Sequence, residues 1–576
     1  MSQAKPTDRP RGVLRMALLA AICALSVALV HVAHDSIRLH VFERFTWTSR
    51  DFLWMAPLAY LIYFLVLTVV AAPFKRAGEM LIASFAVWSV LLLWTTLHPL
   101  ANIIVSLGLG SVLSSVWQRF SNLQLRRTVT ALGGATVLVA AVGSIVPRFA
   151  RAAARNAPPG AEAPNVLLLI LDTVRAKSMS LYGYERPTTP NLSRLGRESI
   201  VFDNAFATSS WSLPSHASIL TGLWPHEQGG SYVHPIRRDA RSVAEVFRDH
   251  GYATGGFTAN VGFAGHQTGL ARGFDHFEDF PRSLAQILLA PTFSQIQAVR
   301  AAALNLKGGY MRGALFAFRP SNLRLVGVRQ APNRPAADII PRFHRWRRSL
   351  DGDGRPFFAF INLMEAHSPY EPPEPFRSAF GSPQREQDRY DGAIAYLDSV
   401  VSKLVGELDN TIVVITSDHG EQWGENGFGG HGNTLYLTAL RVPLIVRATG
   451  ALPALRVTQP VSLRDLPATL LDLANIRAPF AGTTLRTVWT KGETRPVFSE
   501  ATKGVNVPQN SQTFLGPVRS VLDSAAHYIR LADNREELYD WRNDPDERTN
   551  VIAEPRYGGV LPNYRRLLDS LYRAPD

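Results

Sequence analysis

The sequence predicts an all-helical membrane-spanning bundle followed by a mixed α/β sheet sandwiched by helices, with a smaller subdomain at the C-terminus. Three observations carry that expectation. Charge-free apolar stretches are confined to residues 1–147, continuous apolar runs of strand length begin only near Asn165, and helix-period patterns lie between those runs. At 576 residues the chain also exceeds what one core usually holds, so more than one unit is expected.

The apolar stretches cover 16–33, 52–72, 80–97, 100–117 and 128–146, and none contains Asp, Glu, Lys or Arg. Each is roughly long enough to cross about 30 Å of hydrocarbon. A cleaved signal peptide would not be followed by serial spans, so a retained anchor of five helices is expected. Lys5, Arg9, Arg11 and Arg15 precede the first stretch, and cations near span ends are preferentially held inside the cell. Five spans from an inside N-terminus place everything after Val146 outside the cytoplasm, whereas four would leave it inside. The single cysteine, Cys23, falls within the first stretch, which excludes an intramolecular disulfide. A net charge of +13 comes without any nucleic-acid-binding motif, so anionic lipid headgroups are the expected attraction and nucleic acid is not.

Residues 148–164, rich in Ala and carrying turn-forming Pro and Gly, read as a linker. From Asn165 the run NVLLLIL has the pattern of a strand buried on both faces, and FFAFINL, TIVVITS and VPLIVRA repeat it. Between them, Ile394, Leu397, Val401, Leu404 and Leu408 return at helical spacing. Residues 282–348 carry twelve Lys or Arg and one acidic residue, Asp338, and read as a basic helical insert that is either a solvated face or a membrane-docking surface. The C-terminal subdomain is expected from about residue 490.

Three segments bear chemistry. Asp172 directly follows the first buried strand, where ligands collect in open α/β sheets, although Asp also caps helices there. In TSDHGE, Asp418 and His419 follow another buried strand and offer the carboxylate and imidazole donors that a divalent cation accepts. His431 comes after the flexible stretch GENGFGG. In SSWSLPSHASILTG, Pro214 suits a first helical turn, which puts Ser212 at a helix N-terminus, either as a plain cap or as an oxygen nucleophile among free amides.

Read together, these segments resemble sulfatases of the alkaline phosphatase superfamily. The stretch from LDTVRAKSMSLYGY through SHASILTG is similar to the family's opening, from first metal ligand to nucleophile helix. MEAHSPYEPP, SDHGE, GHGNTLYLTALRVPLIV and ELYDWRNDPDERTN match later family segments in order, from about Asn165 to Val551. The resemblance implies an alkaline-phosphatase-like fold, metal binding by Asp172, Ser212, Asp418 and His419, a nucleophilic Ser212, and contact of His367 and His431 with the transferred group. Zinc or manganese is expected in one or two sites, with calcium less suited, because Thr173 stands where many relatives have a second Asp.

The sequence departs from the family at S-L-P-S-H, where His216 replaces an expected Arg, so conversion of Ser212 to formylglycine is not expected. The usual lysine after the GY-x-T turn is missing, with Asn260 as its substitute. These departures, with the spans, also resemble phosphoethanolamine transferases and lipoteichoic acid synthases. The expected activity is hydrolysis of a sulfate or phosphate ester, on a lipid or glycan, through a seryl ester that uses Ser212, His216, His367 and His431. The alternatives are a headgroup transferase and an inactive binding protein.

Overall fold

The computed structural model describes residues 8–46, 48–94, 98–152, 163–280, 283–295, 334–448, 452–504 and 507–572. The chain divides into two compact units, one comprising Met1–Ala154 with Phe280–Ala331 and the other Arg155–Asp279 with Pro332–Asp576.

The first unit contains the helices α1 (Asp8–His40), α2 (Phe52–Ala71), α3 (Lys75–Leu91), α4 (Pro99–Trp117) and α5 (Asn122–Ala152). By length and composition, four helical stretches are apolar enough to cross a membrane: Gly12–His40, Phe52–Leu91, Leu100–Trp117 and Asn122–Gly143. The second is 40 residues, or about 60 Å at 1.5 Å per residue, roughly twice a hydrocarbon core. It is also interrupted: a 3-10 turn at Ala72–Phe74 containing Pro73, followed by Lys75 at φ +46°, separates α2 from α3. Inside the bundle Cys23 packs with Ala24, Tyr60, Phe64 and Ile82. On its outside, Val69, Ile104 and Val137 are 70%, 69% and 68% exposed, a surface that water does not favour. Helix α5 continues to Ala152, past the start of the stretch read as linker, because Ala and Arg sustain a helix and the first proline after Arg148 is Pro158.

Residues 283–295 also belong to this unit. Tyr63 donates its hydroxyl proton to Leu288 O at 3.0 Å, Thr292 Oγ1 lies 3.2 Å from His31 Nε2, and the Phe293 ring sits 4.8 Å from Tyr63 and 5.0 Å from Phe85. The basic insert expected over 282–348 is therefore divided. Its first part packs with the helices, residues 296–333 lie outside the described residues, and the helix Ala336–Arg348 belongs to the second unit.

The second unit is built on a nine-stranded mixed sheet. Its strands are β1 (Asn165–Leu171), β2 (Ile200–Phe206), β3 (Ala253–Thr258), β4 (His276–Glu278), β5 (Phe357–Leu363), β6 (Thr411–Thr416), β9 (Arg441–Val442), β10 (Leu444–Ala448) and β11 (Leu455–Ser462), with the short ribbon β7 (Gln422–Trp423) and β8 (Gly429–Gly430) apart. The order is β11-β2-β10-β6-β1-β5-β3-β4, with β9 on β2. Strands β6, β1, β5 and β3 run parallel side by side, so their carboxyl ends share one edge. One face is covered by amphipathic helices. Ala336–Arg348 buries Ile339, Phe343 and Trp346, and Glu386–Gly406 buries Tyr390, Ile394, Leu397, Val401 and Leu404, all in one core with Leu167, Leu169 and Ile361. Tight approach is built in at Gly255, where a Cβ would come within 2.7 Å of Trp346. A separate antiparallel sheet of β12 (Val497–Ala501), β13 (Val518–Leu522), β14 (His527–Arg530) and β15 (Glu536–Tyr539) packs beneath the helix Leu561–Leu571.

Candidate active site

The shared edge of β6, β1, β5 and β3 gathers the polar residues. Asp172 directly follows β1, Asn362 is the penultimate residue of β5, and Asn260 and Asp418 lie two positions past the ends of β3 and β6. All four are buried. Asp172 Oδ2 accepts hydrogen bonds from Asn260 Nδ2 and Asn362 Nδ2, each at 2.9 Å. Thr173 turns the chain at φ +63°, a conformation costing about 1 kcal/mol or more for a β-branched residue, and its N–H donates to Asp418 Oδ1 at 3.1 Å. Its hydroxyl donates to Ala366 O at 2.6 Å. Thr173 thus braces the loop that follows β5.

Helix α6 spans Pro190–Gly196 and α7 spans Ser212–Thr221. Ser212 is the first residue of α7, with Trp211 as the N-cap residue, so Ser212 is not the cap. The helix is tied to the β6 end by Ser215, whose hydroxyl donates to Asp418 O at 2.5 Å. Gly222 ends it at φ +69°, with Ala481 O placed 2.3 Å from where a Cβ would stand. Ser212 Oγ lies 3.1 Å from His419 Nε2. His419 Nδ1 faces Gly420 O at 3.0 Å, which assigns the proton to Nδ1 and leaves the Nε2 lone pair toward the serine. Burial pushes the His419 imidazolium down to about 3, with His431 adding to the effect, so the ring is neutral.

The oxygen and nitrogen donors of Asp172, Asp418 and His419 fall within 4.8 Å of one another. Asp172 Oδ1 and Asp418 Oδ2 are buried and, among the described residues, have no hydrogen-bond partner. Two such carboxylate oxygens beside a neutral imidazole are poorly stabilised by protein alone, and they suit a divalent cation. His216 has both nitrogens engaged by the protein. Nδ1 meets Ser212 O at 2.8 Å and Nε2 meets Asn362 Nδ2 at 3.2 Å, with Asp418 Oδ2 3.3 Å from Nδ1. The geometry makes His216 a support for the serine rather than a group free to touch a substrate.

His431 joins the cluster from the Gly-rich loop, its ring 4.5 Å from His419 and 5.1 Å from His367. Its Nδ1 lies 3.0 Å from Glu421 Oε1, and Tyr370 donates its hydroxyl proton to Glu421 Oε2 at 2.7 Å. Burial works against a charged His431, but the Glu421 carboxylate outweighs it and raises the imidazole above its ordinary value. Burial likewise opposes ionisation of Glu421, and His431 and Tyr370 hold it below the usual carboxylate range. His367 is half-buried at the rim with Nδ1 2.9 Å from Ser368 O. The loop bearing these groups is fastened by Arg175, which donates to Glu425 Oε1 at 2.7 Å and to Glu421 O at 3.1 Å.

The structure thus brings together Asp172, Ser212, Asp418, His419, His431 and His367, with His216 behind. Sequence reasoning gave no role to Asn362 or Glu421. Asn362 carried a signal, as the only polar side chain in the buried run FFAFINL. Glu421 sat in the quoted SDHGE, but its partner His431 is fixed only by the fold.

Comparison with known proteins identifies the family and supports the fold. The family model described as Sulfatase matches residues 164–476. An uncharacterized sulfatase, YidJ, of Escherichia coli (strain K12) is 25% identical over 454 residues, covering 72% of this chain and 88% of its own. A choline-sulfatase of Rhizobium meliloti (strain 1021) is 24% identical over 449 residues, covering 68% and 83%. Among solved structures, the phosphonate monoester hydrolase of Agrobacterium radiobacter superposes with a TM-score of 0.53 at 21% identity, covering 71% of this chain and 95% of that one.

Proposed function

The chain belongs to the sulfatase family and is a sulfuric or phosphoric ester hydrolase, and from that premise we propose that it is metal-dependent, membrane-anchored and uses unmodified Ser212 as its nucleophile. The observation that carries this reading is Ser212 Oγ, 3.1 Å from His419 Nε2 and beside two buried carboxylate oxygens without partners among the described residues.

Asp172, Asp418, His419 and Ser212 would hold the metal. A bound divalent ion lowers the pKa of the serine hydroxyl and offsets charge on the nonbridging oxygens of the ester. The His donor and the loss of the second Asp favour zinc or manganese over calcium. Ser212 Oγ gives its proton to solvent and attacks sulfur or phosphorus, and the bond from that atom to the leaving oxygen breaks. His431, kept protonated by Glu421, gives its proton to the leaving oxygen, and His367 donates to the transferred group from the rim. Water then attacks the seryl ester and gives a proton to His431, the bond to Ser212 Oγ breaks, and that oxygen takes a proton back from solvent, which restores the starting enzyme. Asn260 and Asn362 orient Asp172, and His216 fixes the backbone of Ser212.

The apolar helices support anchoring in a membrane, and Lys5, Arg9, Arg11 and Arg15 at the start of the chain, with five crossings, support a catalytic unit outside the cytoplasm. A lipid or glycan ester is then the accessible substrate. The second reading, headgroup transfer to an acceptor alcohol, is favoured by the same apolar helices, which would keep a lipid donor near the enzyme. Turnover by the full chain in nanodiscs of matched aryl sulfate, phosphate and phosphonate esters tests both. Hydrolysis lost in Ser212→Ala supports the proposal, a strict need for an added alcohol supports transfer, and full activity in Ser212→Ala refutes both.

A further inference from the structure

Trp211, Tyr232 and Phe263 are drawn together from three separate segments into an aromatic cluster beside the nucleophile. Trp211 immediately precedes Ser212. Its ring lies 5.2 Å from Tyr232, 5.1 Å from Phe263 and 5.5 Å from His431, and Tyr232 lies 5.3 Å from Phe263. All three are only half-buried, whereas Ser212 and His419 are buried. The cluster is held in place from the site itself. Phe263 N donates to Asn260 Oδ1 at 2.9 Å while Asn260 Nδ2 binds Asp172, and Gly432, next to His431, leaves room for the indole that a Cβ would meet at 2.4 Å.

His431 touches both His419 and Trp211, so the group assigned to protonate the leaving oxygen stands between the anion site and the aromatic rings. We propose that Trp211, Tyr232 and Phe263 form the wall for the alcohol portion of the ester and select alcohols that present a flat apolar ring face. This rests on the hydrolase reading above. None of the three side chains is charged, and stacked rings gain from a second flat face far more than from a short chain. A saturated sugar-like ring and an aromatic ring share this face.

The test measures kcat/KM of the full chain for phenyl, cyclohexyl and ethyl esters of the same acid, in wild type, Tyr232→Ala and Phe263→Ala, with inhibition by inorganic phosphate as a report on the anion site. The wall predicts that the ratio of ring ester to ethyl ester falls by about 3- to 10-fold in each variant, worth one aromatic contact. A larger fall for phenyl than for cyclohexyl identifies an aromatic alcohol, and the reverse a saturated ring. Retained phosphate inhibition with an unchanged ratio overturns the wall alone. No phosphate inhibition and no turnover in wild type overturn the hydrolase reading and the wall with it.

Independent contacts carry a second inference, about attachment. The chain leaves the catalytic unit at Phe280 and returns at Pro332, and residues 283–295 of that excursion are held among α1, α2 and α3 by Tyr63, His31 and the ring of Phe293, which is 3% exposed. Burying an aromatic side chain within the helical unit makes the excursion part of that unit. The geometry points to 283–295 as a second anchor, so that cutting the connection near 155–160 leaves the catalytic unit on the membrane. With a protease site placed there, the cut wild type is expected in salt-washed membranes and cut Phe293→Asp in the supernatant, with ester turnover of the released part showing that it is folded. Release of the cut wild type, or retention of cut Phe293→Asp, overturns the anchor; an uncut chain absent from membranes overturns membrane attachment itself.

Discussion

Asp418→Asn separates metal binding from folding, because the substitution keeps the side chain's shape and one acceptor while removing its charge. Oδ1 of the new Asn still accepts from Thr173 N and His419 N, now 3.1 and 3.0 Å away, and its amide can donate to His419 Nε2, 3.3 Å from the present Oδ2. In the metal-free protein, Asp172 and Asp418 place ligand oxygens within 4.8 Å of each other. Two like charges at that distance repel by about 3 kcal/mol at an effective dielectric near 20. The variant relieves this, so under chelator it should melt at or above wild type. Added zinc or manganese at about 100 times its Kd stabilises wild type by roughly 2.7 kcal/mol. For a unit of this size each kcal/mol moves Tm by about 2 °C or less, which gives a rise of up to about 5 °C. The variant should show none. Thermal melts with and without metal, paired with metal content of the purified protein, read both effects. A wild type whose Tm ignores metal, together with a variant that melts lower under chelator, would refute the cation site and make Asp418 a structural carboxylate.

Glu421→Gln removes the charge that supports protonated His431, and a charge-assisted hydrogen bond of about 1.5–3 kcal/mol corresponds to a kcat lower by roughly 10- to 100-fold, with KM nearly unchanged in steady-state assays. Burial pushes Glu365 up to about 7 from 4.5, while its Oε1 accepts from Ala336 N at 2.5 Å. The folded state therefore holds a proton that the unfolded chain has lost, and the associated stability is complete below pH 4.5 and lost as pH rises through 7. Wild type minus Glu365→Gln should fall by at most about 1.4 kcal/mol per pH unit in that window, measured by denaturant unfolding; a flat difference would contradict it. Gly432→Ala meets both φ +86° and the indole of Trp211, so it should lower ester turnover while costing only about 1–2 kcal/mol of stability, and equal activity in the variant would show that Trp211 can move freely.

The centre of the sheet was legible because β1, β5 and β6 are buried on both faces, and such strands appear as unbroken apolar runs that point their next residue at the ligand edge. Asp172, Asp418 and His419 could therefore be placed from sequence. The supporting groups could not, since Asn362 meets Asp172 across 190 residues and Tyr370 meets Glu421 across 51, separations that leave no periodic mark. The same holds for 283–295, whose partners Tyr63 and His31 stand 225 and 261 residues away. Read as composition, that segment was merely the start of a basic stretch. The break between α2 and α3 was visible as the charged gap between the apolar stretches 52–72 and 80–97, whereas the continuation of α5 to Ala152 was obscured by prolines and glycine farther along.

Trapping the covalent intermediate tests directly whether Ser212 is the nucleophile. The full chain is quenched during turnover of a slow aryl ester, and the peptide containing Ser212 is examined by mass spectrometry. A sulfo or phosphoryl group on Ser212 is expected in the quenched sample and absent from Ser212→Ala, with an unmodified serine at rest. An aldehyde mass at Ser212 in the resting enzyme, or the transferred group on another residue, would contradict it.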